Sequence, residues 1–130
     1  MIFVGTLSNN EANLPTLTIK EYFSENSKVD FSLRKKIVKY LRSGVYIAGV
    51  MNIVRDVFTT EEIDGAAYLT DGKYIWPIYF PYYLEKYPEK VVVPPGFIDH
   101  LVSNDFKIPG ISKYKTEEIT NFFFKKWQGK

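Results

Sequence analysis

The sequence predicts a single α+β domain: a small antiparallel sheet with a central hairpin packed against helices. Three observations carry this. Asp71-Gly72 stands between two apolar-rich runs, the strongest short hairpin signal. The apolar residues at Leu33, Ile37, Tyr40 and Leu41 repeat with helical spacing. The helical segments do not alternate regularly with strands, which argues against a doubly wound parallel sheet. At 130 residues, 45% apolar and 25% charged, the chain builds a core without staples.

Ile2 to Leu7 reads as a short strand or ordered arm, and residues 8–15 as a polar loop. Thr18 and Glu21 have capping-box spacing for a short helix through Phe23, followed by polar residues 24–30. The best helix runs from Phe31 to Arg42, capped by Asp30 or Ser32, with Gly44 as a left-handed stop. Val45 to Met51, extending toward Val57, is apolar and β-branched enough for a buried strand. Its Ala48-Gly49 pair suggests a bulge or close backbone approach.

Thr59 to Gly65 reads as a polar connector with a helical turn. The hairpin spans Ala66 to Trp76. A two-residue loop sets Thr70 opposite Lys73 and Leu69 opposite Tyr74, with Ala67, Leu69, Tyr74 and Trp76 on one face. Pro77 ends the second strand or puts it at an edge. Pro81 suits the first turn of a short helix that ends near Tyr87 and is stopped by Pro88. Val91 to Val93 is extended, and a second short helix covers Phe97 to Val102, stopped by Asn104. Pro109-Gly110 is a turn. Thr116 caps a C-terminal helix with Glu117 and Glu118 in its first turn and Lys125 and Lys126 in its last.

Composition excludes several chemistries. With no cysteine there is no disulfide, thiol nucleophile or thiolate-metal site. The net charge of +2 is too small to attract nucleic acid or anionic membrane by bulk field. No secretory leader and no membrane-length apolar run occur, so a soluble cytoplasmic protein is expected. No phosphate-binding glycine loop and no G-x-S-x-G elbow is present. The only histidine, His100, follows Asp99, but adjacent helix residues do not face each other. His100 therefore reads as a surface or partly buried histidine. Asp56, Glu61, Glu62, Asp64 and Asp71 lack calcium-loop spacing, and no metal, cofactor or catalytic residue is expected.

Two surfaces remain. Ala66 to Tyr87 holds six of the ten tyrosines, with Tyr79, Tyr82 and Tyr83 beside Lys86. Tyrosine buries area and keeps a polar tip wet, so these residues serve either as anchors for a protein partner, a homodimer included, or as peripheral core. Lys35, Lys36, Lys39 and Arg42 form a basic helix face, which reads as solvated, as phosphate-binding, or as complementary to an acidic protein. Lysines and aromatics also interleave near the C-terminus, but Ile119, Phe122, Phe123 and Trp127 fit one core stripe and leave only Phe124 over.

The runs IVKYLRSG, RDVF, AAYLTDGKYIWPIYFPYYLEKY and VPPGFIDHL carry a pattern on Tyr40, Leu41, Gly44, Asp56, Thr70, Asp71, Gly72, Trp76, Pro77, Tyr82, Tyr83, Tyr87, Pro94 or Pro95, Phe97 and His100. The pattern resembles a family of small uncharacterised bacterial proteins associated with toxin–immunity loci. It covers about the middle half of the chain, and its residues read as turn, strand end, helix start and aromatic packing. The resemblance implies a non-enzymatic protein that binds and inhibits a cognate toxin. The alternative is a nucleic-acid-associated module using the basic helix face.

Overall fold

A computed structural model describes residues 1–8, 13–24 and 29–129, with only the backbone described for 50–52. The polar stretches expected over 8–15 and 24–30 lie partly outside the described residues, as does Lys130. Among the described residues four strands, β1 (Ile2–Phe3), β2 (Val45–Arg55), β3 (Glu62–Thr70) and β4 (Tyr74–Pro77), form one sheet in the order β1-β4-β3-β2. The β2–β3 and β3–β4 pairs are antiparallel, and β1 joins β4 in parallel. The described residues also form five helices: α1 (Ile19–Tyr22), α2 (Phe31–Arg42), α3 (Tyr79–Lys86), α4 (Pro95–Ser103) and α5 (Lys113–Trp127). The α+β class is as the sequence predicts.

The sheet is covered on both faces. Ile37, Tyr40 and Leu41 of α2, Phe80 and Leu84 of α3, and Phe97 and Leu101 of α4 pack with Trp76 and Tyr74 in one cluster. Ile119 and Phe123 of α5 pack with Ile47, Tyr68 and Ile75 in a second. Alternation along β3 and β4 produces this division: Trp76 points to one layer and Ile75 to the other. All four residues of β4 are consequently buried.

Helix α2 has the predicted bounds, and Asp30 caps it by accepting from Ser32 N at 2.9 Å. Gly44 has a different role from the expected stop. The cap is Ser43 in right-handed conformation, and a Cβ on Gly44 would lie 2.5 Å from Trp76 Cζ2. The glycine is needed for the close passage of the indole, whose Nε1 donates to Leu41 O at 2.9 Å. Helix α5 starts a turn earlier than predicted. Ser112 is its cap, accepting from Lys115 N at 3.1 Å, while Thr116 donates its hydroxyl to Ser112 O at 3.0 Å. The segment read as a connector with a helical turn over Thr59 to Gly65 instead enters β3 at Glu62, because β2 runs to Arg55 and the ladder pairs Arg55 with Glu62.

The hairpin register also differs. Thr70 faces Ile75, Leu69 faces Trp76 and Tyr68 faces Pro77, so the loop is longer than two residues. Side chains hold the longer loop. Thr70 Oγ1 donates to Tyr74 O at 2.7 Å and accepts from Gly72 N at 3.0 Å. Asp71 Oδ1 accepts from Lys73 N at 2.9 Å and Tyr74 N at 2.8 Å. Gly72 takes a φ of 101°, open to glycine at little cost. The slip amounts to an even number of residues. Leu69, Tyr74 and Trp76 therefore keep their shared face.

The Gly44–Trp76 contact makes a direct test. Gly44→Ala should lower stability by about 1–3 kcal/mol through overpacking, read as a lower urea midpoint. Gly110→Ala, where an added Cβ meets nothing within 4 Å, should leave the midpoint unchanged. Equal midpoints for both variants would refute this role for Gly44.

Candidate functional site

Asp56 directly follows β2, and its side chain is fully buried. Its Oδ1 accepts from Phe58 N at 2.8 Å and Thr59 N at 3.2 Å, closing the turn into β3. Its Oδ2 accepts from the hydroxyls of Tyr82 at 2.9 Å and Tyr87 at 2.8 Å, with Lys86 Nζ at 3.4 Å. Burial alone would raise the pKa of this carboxyl. The amide and hydroxyl donors outweigh burial and hold it below the usual value. Burial, then the bond to Asp56, pushes the Tyr87 hydroxyl up to about 12. Lys86 also lies 2.9 Å from Tyr82 Oη and 3.3 Å from Glu61 Oε2, and the bond to Tyr82 leads in raising its pKa.

This geometry corrects the tyrosine-anchor reading at Tyr79 and Tyr83. Tyr79 and Tyr83, four residues apart on α3, are buried. Tyr79 Oη accepts from Leu7 N at 2.8 Å, and Tyr83 Oη accepts from Val57 N at 3.0 Å. Burial pushes the Tyr83 hydroxyl up to about 12. Neither ring is open to a partner, because the core takes the ring and the backbone takes the hydroxyl. Tyr82 is half-buried and Lys86 exposed, and both are engaged with Asp56.

Asp71 repeats the device at the far end of β3. Its Oδ1 serves the turn amides of Lys73 and Tyr74, and its Oδ2 accepts from Tyr40 Oη at 2.5 Å and lies 2.7 Å from His100 Nε2. A carboxylate only accepts, so Nε2 carries the hydrogen. Burial, then the bond to Asp71, raises the Tyr40 hydroxyl above its ordinary value. His100 is partly buried, as expected, with 13% of its side chain exposed. Its carboxylate partner is Asp71, 29 residues away, whereas Asp99 is exposed. Sequence spacing gave no sign of this pair.

The remaining acidic residues disperse. Glu62 pairs with Arg55 at 3.2 Å and Glu61 with Lys86 at 3.3 Å. Among the described residues, no three histidine or acidic side chains come together to hold a metal. Near the C-terminus Ile119 and Phe123 are buried, and Phe122, Phe124 and Trp127 pack on the same cluster, so these aromatics are core.

Lys35, Lys36, Lys39 and Arg42 are all exposed on α2, as the sequence expects of a basic face. Arg42 is held in a two-pronged pair with Glu85 of α3, at 2.9 and 3.2 Å. Phe31, the first residue of α2, is 65% exposed. Arg34 and Lys35 sit over its ring, 5.2 and 5.7 Å from the centroid. A groove of about 660 Å³ runs along this face, lined by Phe31, Val38, Lys35, Lys39, Arg42 and Glu85 among others. The available signal was an aromatic residue at the first helical position, on the same side as the cations.

No protein-family model, curated protein or solved structure matches the chain.

The depressed pKa of Asp56 fixes a pH dependence. A carboxyl with a lowered folded-state value stabilises the fold above its unfolded pKa, and that stabilisation is lost as pH falls through the folded value. Asp56→Asn should cost about 1–3 kcal/mol at pH 7. Its stability should also fall less than the parent's between about pH 5 and 2, as read by urea unfolding at each pH. A parent-like midpoint at pH 7 would contradict the assignment.

Proposed function

We propose that the chain is a non-enzymatic protein-binding module of the immunity type, and that it meets its partner through the α2 face. One observation carries the choice of surface. Exposed Phe31 lies among Arg34 and Lys35, beside a groove whose apolar wall includes Val38. An aromatic anchor inside a charged rim is the usual composition of a protein-binding hot spot. A regular helix presents it with little ordering cost on binding. The cations select an acidic patch on the partner and speed encounter. The resemblance to immunity-associated proteins supports the same class. Such a protein works by covering a toxin's active site or substrate path.

The nucleic-acid reading is less well supported. One of its four cations, Arg42, is neutralised by Glu85, and that carboxylate lines the groove. Self-association through α2 would set lysines against lysines, at an electrostatic cost. Among the described residues, no helix is long and apolar enough to cross a membrane. An immunity role places the protein in the cytoplasm of the cell it protects.

The test uses the protein encoded beside this chain's gene. Lys35→Glu with Lys39→Glu should weaken its binding by about tenfold or more, mainly through slower association, and Phe31→Ala should speed dissociation. Tyr82→Phe should bind as the parent does. Affinity for an oligonucleotide that falls steeply with salt, without affinity for the neighbouring gene product, would overturn the proposal in favour of phosphate recognition.

A further inference from the structure

The spacing of the residues that line the α2 groove selects the shape of what fits it. Phe31, Lys35 and Lys39 stand four residues apart, and so do Arg34, Val38 and Arg42. Each set is one ridge along the helix, and both ridges line the groove. A second α-helix packs by setting a ridge of its own side chains into such a groove, whereas the two-residue repeat of a strand does not match it. The floor is apolar, because Val38 is buried. Phe31 adds an exposed ring, with Arg34 and Lys35, one from each ridge, over it.

Charge decides what that helix carries. Among the described residues, the lining holds five cations, Arg34, Lys35, Lys36, Lys39 and Arg42, against one carboxylate, Glu85. Glu85 belongs to α3 and accepts both prongs of the Arg42 guanidinium, at 2.9 and 3.2 Å. The two side chains are 52% and 60% exposed, so the pair contributes little to the fold. Its two-pronged geometry is the one another carboxylate would take on the same guanidinium. A weakly held internal pair at the edge of a binding groove is therefore open to exchange.

We propose that the α2 groove takes an acidic amphipathic helix of the partner, and that a carboxylate of that helix replaces Glu85 on Arg42. This occupant rests on the protein-binding reading of α2 and deepens it. The partner helix sets one apolar row against Phe31 and Val38 and carries aspartate or glutamate beside that row to face the cations. Glu85 is then an internal competitor. It holds Arg42 in place before binding and lowers the affinity for acidic segments.

The probes are a synthetic peptide of about 18 residues, with leucine at every third or fourth position and glutamate beside it, and the same peptide with two central prolines. Each is titrated into the full chain, followed by amide NMR of the chain and circular dichroism of the peptide. The first peptide should gain helix and give saturable shifts on α2 and at Glu85, and the proline peptide should bind about tenfold or more weakly. Glu85→Gln, at an exposed position where folding should be kept, should bind the first peptide about threefold or more tightly, and Phe31→Ala should weaken it. Unchanged or weaker binding by Glu85→Gln would overturn the exchange. Equal binding of the proline peptide would assign the groove to an extended segment, and dimerisation through α2 that excludes the peptide would assign it to a second copy; either result overturns the proposal. If the first peptide fails while the neighbouring gene product still binds through Lys35 and Lys39, this inference falls and the protein-binding reading stands. If both fail to bind, both are overturned.

Discussion

Two buried carboxylates hold this protein together. Asp56 and Asp71 each follow the last residue of a strand, and each turns one oxygen to the amides two and three residues ahead. The other oxygen of each reaches a helix. Asp56 takes Tyr82 of α3 and the Tyr87 that caps it, and Asp71 takes Tyr40 of α2 and His100 of α4. A buried charge without partners would be prohibitively costly, so both turns and helices must be in place together. The hairpins and the helical layer are in this way fixed by shared bonds as well as by apolar contact.

This constraint explains the aromatic composition. Tyrosine supplies ring area to the core and a hydroxyl to a buried acceptor or backbone group. Tyr40, Tyr79, Tyr83 and Tyr87 all do both. Tyr79 and Tyr83 of α3 thus serve the core, and an exposed aromatic with cations over its ring lies on α2. There the buried side, Ile37, Tyr40 and Leu41, anchors the helix, and the opposite side carries Phe31 and the cations.

The elements decided by local rules were legible in the sequence. Helix α2 follows from apolar spacing and an aspartate cap, and α1 from its capping box. The basic face was legible because charges on an amphipathic helix have only one direction to point. Positions decided by tertiary contact were not. Gly44 looks like a helix stop, but the indole that needs it lies in a strand more than thirty residues on. The Asp71 turn looks like a two-residue loop until Thr70 and Asp71 capture its amides. His100 has a misleading neighbour in Asp99, and its true partner is set by the packing of α4 on the sheet.

One carboxylate, Asp71, couples the β3–β4 turn to α2, and a double-mutant cycle measures that coupling. Tyr40→Phe, Asp71→Asn and the pair together would be compared by urea unfolding at pH 7. An interaction energy of about 1–3 kcal/mol is predicted, because either single change already breaks the shared bond. Strict additivity of the two losses would contradict it, leaving the turn and α2 as independent features joined only by apolar packing.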